Sequence, residues 1–173
     1  ENALKRFDYK LNFLGVDHIF SNEYDSFLPD LITADPFGKV LVFSQQYGQL
    51  LSLDNSNQSL IDLNQYGMDG GCTIDLKTDN AGNIALLSCE NEITLFNRFG
   101  RKSKISFVHI KDPIQILTWS NNWVVINSMG EIESTNGKVN VLPLREDETV
   151  LDGDVYFEHI IILTDQRILV IKK

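Results

Sequence analysis

Residues 72–100 decide the fold class: CTIDLKTDNAGNIALLSCENEITLFNRFG. The apolar run at 83–87 follows the turn residues Asp79–Gly82, and a second run at 92–97 follows a short polar loop. Short runs rich in β-branched or aromatic residues and bounded by Gly, Asn and Asp are typical of β-strands. No stretch of the chain has the apolar period of about 3.6 that an amphipathic helix requires. The segment therefore predicts consecutive antiparallel strands.

The same pattern recurs along the chain, and apolar anchor residues mark its repeats. Successive anchors are 43, 39 and 36 residues apart, and they are Leu50, Ile93, Ile132 and Ile168. A polar residue lies four positions after each anchor, and Leu4 with Asp8 has the same form. Periods near 40 that are built from short strands indicate β-propeller blades. A four-stranded sheet has two apolar faces, and stacking neighbouring blades buries both.

We predict one all-β domain over residues 1–173, a propeller of four-stranded blades. About five blades are expected in the complete protein, and the first is incomplete because residues 1–28 supply only its end. Further repeats are expected at 29–71, 72–110, 111–147 and 148–173. Strands are predicted near 39–43, 49–53, 74–78, 83–88, 93–97, 123–127, 131–135, 159–163 and 167–171.

Residues 72–110 resemble the NHL-type propeller repeat, which is related to the WD40 type. The resemblance is carried by an apolar strand, then Asp79-x-x-Gly82-Asn83, a second strand, a polar loop and Ile93-x-x-Phe96-Asn97-x-x-Gly100. Residues 29–71 match less closely, and the last two repeats keep the spacing but lose the glycines. Propeller families share this pattern, so the resemblance implies a fold and no particular activity.

The chain is also similar to small secreted propeller proteins of Bacteroidota. The similarity rests on Asp35–Phe43 and on Leu53–Asn55. It implies an extracytoplasmic location, periplasmic or associated with the outer membrane, and a cytoplasmic location is the alternative.

Charge and motif content exclude several functional classes. The net charge of −9 and the pI of about 4.7 argue against nucleic acid, because phosphate binding requires a basic surface. No segment has the roughly 18 apolar residues of a membrane helix, so any membrane association would be peripheral. His18, His109 and His159 occupy different repeat positions, so we expect no metal site. No nucleophile-elbow, phosphate-loop or dinucleotide motif is present, and we expect no cofactor and no catalytic site.

We label the strands of each blade a to d, and the loop face is the end with the b–c loops and d–a crossings. Propellers commonly bind partners at this face. Aromatic and methionine side chains fall there, and these residue types are enriched at protein interfaces. The alternative is that they anchor the loops to the sheets. The candidate binding residues are Tyr24, Phe27, Tyr47, Tyr66, Met68 and Met129.

These observations favour a non-catalytic interaction scaffold that holds a protein partner on the loop face. It would be an accessory subunit of an extracytoplasmic or outer-membrane-associated assembly. The alternative is a propeller enzyme, such as a metal-dependent hydrolase or lyase, with a site on the axis. Such a site requires inward-pointing His, Asp or Glu at equivalent positions of several blades, and the sequence shows no such set.

Cys72 and Cys89 flank one predicted hairpin. If Asp79–Gly82 is a two-residue hairpin turn, opposed residues have numbers that add up to 161, which pairs Ile74 with Leu87 and Cys72 with Cys89. Directly opposed residues have Cβ atoms about 4.5–5.5 Å apart, close to disulfide geometry. Two readings stay open, a disulfide formed in an oxidising compartment and two buried thiols packed as small apolar groups.

Overall fold

The computed structural model describes residues 3–8, 10–18, 27–54, 57–66, 71–119 and 121–172. Its strands in the first part of the chain are β1 (Ala3–Phe7), β2 (Phe13–His18), β3 (Leu31–Ala34), β4 (Val40–Ser44), β5 (Gln49–Asp54) and β6 (Asn57–Asp62). The next strands are β7 (Thr73–Thr78), β8 (Ile84–Ser88), β9 (Glu92–Phe96) and β10 (Lys102–Phe107). The last are β11 (Pro113–Trp119), β12 (Asn122–Asn127), β13 (Glu131–Ser134), β14 (Val139–Val141), β15 (Val150–Tyr156), β16 (His159–Thr164) and β17 (Ile168–Lys172).

The strands form antiparallel sheets in chain order. Three sheets have four strands, β3 to β6, β7 to β10 and β11 to β14, while β15 to β17 form a three-stranded sheet and β1 pairs with β2. The only helical element among the described residues is a 3-10 turn at Leu63–Tyr66. The all-β prediction is confirmed, and each predicted strand coincides with an observed one within two residues. These successive meanders are the blades of a β-propeller.

The chain divides into two compact units. Unit 1 comprises Glu1–Ile32 and Lys39–Gly71, and unit 2 comprises Thr33–Gly38 and Cys72–Lys173. In unit 1, Phe27 packs with Val42 and Leu51 in an apolar cluster. Unit 2 contains the sheets from β7 to β17 and most of the buried apolar residues.

The core of unit 2 consists of two apolar layers, one on each side of the sheet β11 to β14. Ile116 and Val125 belong to the layer shared with β7 to β10, whereas Leu117 and Val124 belong to the layer shared with β15 to β17. Successive side chains of a strand point to opposite faces of the sheet. Both faces are covered, and the strands therefore show continuous apolar runs instead of alternation.

The β7–β8 turn differs from the two-residue turn predicted from the sequence. Asp79 N–H donates to the carbonyl of Asn83 at 2.9 Å, and Gly82 has a φ of +78°, so the loop has three residues, 80–82. The carboxylate of Asp79 accepts the backbone N–H groups of Ala81 and Asn83 and thereby stabilises this turn. Opposed residues near the turn therefore have numbers that add up to 162, and Thr78 lies opposite Ile84.

A β-bulge corrects this shift further along the hairpin. The register changes between Thr73 and Asp75, so Ile74 is the extra residue and Thr73 lies opposite Ser88. The predicted pairing of Ile74 with Leu87 is wrong, because Leu87 lies opposite Asp75. Beyond the bulge, the N–H of Cys89 donates to the carbonyl of Cys72 at 2.8 Å, which is the pairing the simpler register predicts.

Candidate functional site

The three b–c turns on the loop face of unit 2 share one hydrogen-bonding pattern. The last residue of each b strand, Ser88, Asn127 or Thr164, accepts two backbone N–H groups of the turn that follows it. Asn127 Oδ1, for example, accepts the N–H of Met129 at 3.1 Å and that of Glu131 at 2.9 Å. Side chains of this kind replace missing backbone partners and hold a turn in one conformation.

Glu133 fixes the d–a crossing between β10 and β11. Its carboxylate is buried and accepts the N–H groups of His109 and Ile110 and the Nδ1 of His109. Burial raises the pKa of Glu133, but these hydrogen bonds outweigh burial, and the net pKa lies below the usual value. The side chain of His109 is 85% exposed, so this crossing presents an imidazole to solvent on a fixed backbone.

Glu148 fixes the crossing between β14 and β15. Arg167 donates to both of its oxygens at 2.8 and 2.9 Å, and the N–H of Arg145 and the hydroxyl of Thr164 also donate to this carboxylate. The Arg167 guanidinium is the main reason that the pKa of Glu148 falls from 4.5 to about 2. A charged carboxylate thus joins the crossing to the neighbouring b–c turn.

Close packing between the β12–β13 turn and the crossing after β14 also fixes the conformation of the loop face. Gly130 has a φ of +80°, and its carbonyl accepts the N–H of Leu142 at 2.8 Å. A Cβ at Gly130 would lie 2.6 Å from Leu144 Cδ1, so only glycine fits between the turn and the crossing.

A disulfide lies at the same face. Cys72 and Cys89 are joined, with Cα atoms 5.5 Å apart and a separation of 17 positions in the sequence. Both residues are exposed, so of the two readings left open by the sequence, the structure has the disulfide and not a pair of buried thiols. The bridge closes the end of the β7–β8 hairpin where its strands meet the loop face.

The surface of this face is acidic, and the tip of one of its turns carries an exposed apolar side chain. Met129 is 57% exposed at the tip of the β12–β13 turn. Acidic side chains outnumber the basic Lys111 and Arg145, and they are Glu90, Glu92, Asp112, Glu131, Glu146, Asp147 and Asp165. Arg167 does not offset them, because Glu148 already binds its guanidinium.

The residues predicted to bind a partner differ in whether the structure describes them and in how far they are buried. Tyr24 and Met68 lie outside the described residues. The prediction for Phe27 is wrong, because this side chain is only 2% exposed and packs in the core of unit 1 against Val42 and Leu51. The ring of Phe27 therefore anchors a loop segment to the core, which is the alternative role for these aromatic residues.

The remaining three residues lie in different units. Tyr47 and Tyr66 are half-buried in unit 1, and the carbonyl of Tyr47 accepts the side-chain amide of Asn64 at 2.9 Å. Met129 lies in unit 2 and is the most exposed of the three. Within unit 2, the structure adds the polar turns and crossings described above, which a search for aromatic residues did not find.

The a strands of unit 2 contain a set of polar residues that sequence reasoning missed. Asp75, Gln115 and Asp152 each follow a β-bulge at the same place in β7, β11 and β15. Asp75 Oδ2 accepts the N–H of Ile116 at 2.9 Å, and Gln115 Nε2 donates to Asp152 Oδ1 at 2.8 Å. The repeated apolar-polar-apolar sequence after each crossing is the signal that could have identified them.

These polar residues link neighbouring blades. Burial raises the pKa of Asp75, and the hydrogen bond from Ile116 partly opposes that effect.

Within the described ranges, no three His, Cys, Asp or Glu side chains are grouped so that they could hold a metal ion. No helix in that part of the chain is long and apolar enough to span a membrane.

Comparison with known proteins identifies the fold. No protein-family model and no curated protein matches the chain. Virginiamycin B lyase from Staphylococcus aureus is similar over 99% of this chain and 63% of its own, with 11% identity and a TM-score of 0.64. YCF48 bound to D1 peptide matches over 83% and 50%, with 8% identity and a TM-score of 0.64. The nidogen/laminin complex matches over 91% and 64%, with 12% identity and a TM-score of 0.64.

The chain therefore spans between half and two thirds of the length of these solved structures. They are propeller proteins, and the predicted propeller fold is confirmed. At identities this low, the similarity shows the fold alone.

Proposed function

We propose that the chain is a non-catalytic binding module that holds a protein partner on the loop face of unit 2. The observation that carries the proposal is the number of hydrogen bonds that hold these turns and crossings. Glu133 and Glu148 are buried carboxylates that accept hydrogen bonds from the loops. Glu133 accepts the backbone N–H groups of one crossing, and Glu148 accepts one backbone N–H of the other crossing and the side chains of Arg167 and Thr164. Loops that are already held in one conformation reduce the entropic cost of association.

The charge of the loop face indicates the chemistry of the partner. Its acidic side chains favour a partner with a basic surface, because complementary charge accelerates encounter and selects among partners. Met129 adds an exposed, flexible apolar side chain to this acidic face. The partner is therefore expected to present Lys or Arg around an apolar patch.

Two of the solved structures support a binding role. One is YCF48 bound to a D1 peptide, and another is the nidogen/laminin complex. Both are complexes with a peptide or protein partner, and we extend a binding role to this chain. The disulfide Cys72–Cys89 supports an extracytoplasmic location, because such bonds persist in oxidising compartments.

Affinity capture with matched variants tests this proposal. The immobilised protein should retain a basic partner from an extract of its native source, and the double variant Met129→Ser, Glu146→Lys should lose it. Phe99→Ser is the control, because Phe99 is exposed in the turn between β9 and β10, at the end of the sheet opposite the loop face. Retention of the same partner by the double variant, with its thermal midpoint unchanged, would show that the loop face is not the binding surface.

The alternative function is an enzyme with a site where the a strands meet. It is motivated by the equivalent positions of Asp75, Gln115 and Asp152 and by the similarity in fold to a lyase. The hydrogen bonds of these residues to neighbouring strands favour a structural role instead. Asp152→Asn tests this alternative: a lost hydrolase or lyase activity in a folded variant would favour the enzyme.

A further inference from the structure

A cavity of about 900 Å³ opens at the turn face of unit 2, the end with the a–b turns and opposite the loop face. Three consecutive turns line it, those between β7 and β8, β11 and β12, and β15 and β16. Its volume lies within the range of small-molecule sites, about 300–1,000 Å³. The protein partner proposed above does not require this cavity, which belongs to the other end of the sheets.

An exposed aromatic ring stands at the edge of the cavity. Phe157 lines it and is 81% exposed, and the ring of Tyr156 packs edge-on against it with centroids 4.5 Å apart. Phe157 also has a φ of +53°, a conformation that is unfavourable for a bulky side chain. The chain thus tolerates both an exposed ring and a strained backbone at this one position. Such combinations concentrate at binding sites.

Neutral hydrogen-bonding groups surround the ring. The amides of Asn80 and Asn121 are exposed in the cavity wall, and in the described part of the chain neither is engaged by another side chain. Thr118 adds a half-buried hydroxyl group, and Trp123, only 9% exposed, closes the inner wall with an apolar surface. An amide supplies both donors and an acceptor, so these groups suit a ligand with many hydroxyl groups.

Charge in the cavity argues against an ionic ligand. Lys77 is the only cationic side chain among the lining residues, and Asp79 and Asp154 offset it. The carboxylate of Asp79 already accepts the N–H groups of Ala81 and Asn83 and the side-chain amide of Asn83. A phosphate or sulfate would therefore meet more negative than positive charge in the cavity. An ammonium ion would compete for Asp79 with the hydrogen bonds that Ala81 and Asn83 already donate to its carboxylate.

We propose that this cavity binds a neutral saccharide. The apolar C–H face of a sugar ring matches the exposed ring of Phe157, and its hydroxyl groups match the amides of Asn80 and Asn121. Each sugar hydroxyl both donates and accepts a hydrogen bond, which an amide satisfies from one side chain. The inference is independent of the partner on the loop face, so failure of one does not affect the other.

Titration calorimetry with maltotetraose, cellotetraose and chitotetraose tests the proposal. The wild-type protein should bind at least one of them with a measurable dissociation constant. Phe157→Asn should weaken binding at least about tenfold, because asparagine tolerates positive φ but offers no ring. Asn121→Gly should also weaken binding, because glycine fits the φ of +59° and removes only the amide.

Phe107→Ser, an exposed aromatic residue outside the cavity, is the matched control and should bind like the wild type. Thermal midpoints of all variants show that they are folded. Absence of binding by all three tetrasaccharides overturns the proposal. So does equal binding by a folded Phe157→Asn variant, or tighter binding of a sulfated saccharide than of its neutral counterpart.

Discussion

Cys72 and Cys89 lie opposite each other because the bulge at Ile74 cancels the additional residue of the β7–β8 turn. The three-residue loop shifts the register by one, which alone would place the two side chains on opposite faces of the sheet. The bulge shifts it back just before the cysteines. The disulfide therefore depends on both irregularities of the hairpin.

Loss of this disulfide should lower the free energy of unfolding by up to about 3 kcal/mol, since the bridge closes a loop of 17 residues in the unfolded chain. Urea unfolding with and without reductant measures the effect. The double variant Cys72→Ala, Cys89→Ala should unfold like the reduced protein and should not respond to reductant. An unfolding midpoint that reductant leaves unchanged in the wild type would contradict the prediction.

Gly130 and Gly137 provide a matched pair for the packing of the loop face. Both have positive φ, +80° and +82°, but a Cβ meets Leu144 only at Gly130 and has open space at Gly137. Alanine at either position costs about 1–2 kcal/mol for the left-handed conformation. Gly130→Ala should cost roughly a further 1–3 kcal/mol through overpacking. Equal losses in urea unfolding would show that Leu144 moves aside freely.

Protonation of Glu148 in acid should lower the stability of the fold. Its pKa is about 2 in the folded protein, below the ordinary 4.5, so its stabilising effect is complete above pH 4.5 and is lost as the pH falls towards 2. Glu148→Gln should therefore melt at a lower temperature than the wild type at neutral pH, with a difference that disappears in this acid range. Glu146→Gln, at an exposed residue of the same crossing, should show no such convergence.

Asp75 should have the opposite effect. Burial raises its pKa above 3.8, so its protonated form favours the folded state at low pH, and that contribution is lost as the pH rises through the raised pKa. Relative to Asp75→Asn, the wild type should therefore be most stable in acid and lose that advantage as the pH increases. Thermal melts of both proteins over the acid range test this, and a constant difference would argue against titration of Asp75.

The strands could be located from sequence because their signals are local. Apolar runs such as 83–87, bounded by Asp, Asn and Gly, predict a strand without knowledge of its neighbours. Pairing of these strands is less local, since the spacing of apolar residues within one hairpin reveals neither the three-residue turn nor the bulge at Ile74. The cysteines were paired from an incorrect register, and the two irregularities compensated for the error.

The candidate sites depended still more on tertiary structure. Phe27 and Met129 are both apolar residues near predicted loops, yet one is buried and the other is exposed. Burial depends on which segments pack over a side chain, and that is a property of the assembled sheets. Sequence reasoning therefore included a core residue among the binding residues.

The sequence by itself determined the all-β class, the repeat spacing and the acidic charge, since each follows from residue type and from periodicity along the chain. Tertiary structure alone decided which side chains meet. Asn80, Asn121 and Phe157 lie about 40 residues apart in the chain and share one cavity, because successive blades place equivalent turns side by side. Glu148 and Arg167 meet for the same reason, because a crossing and the next b–c turn converge at one end of the sheet.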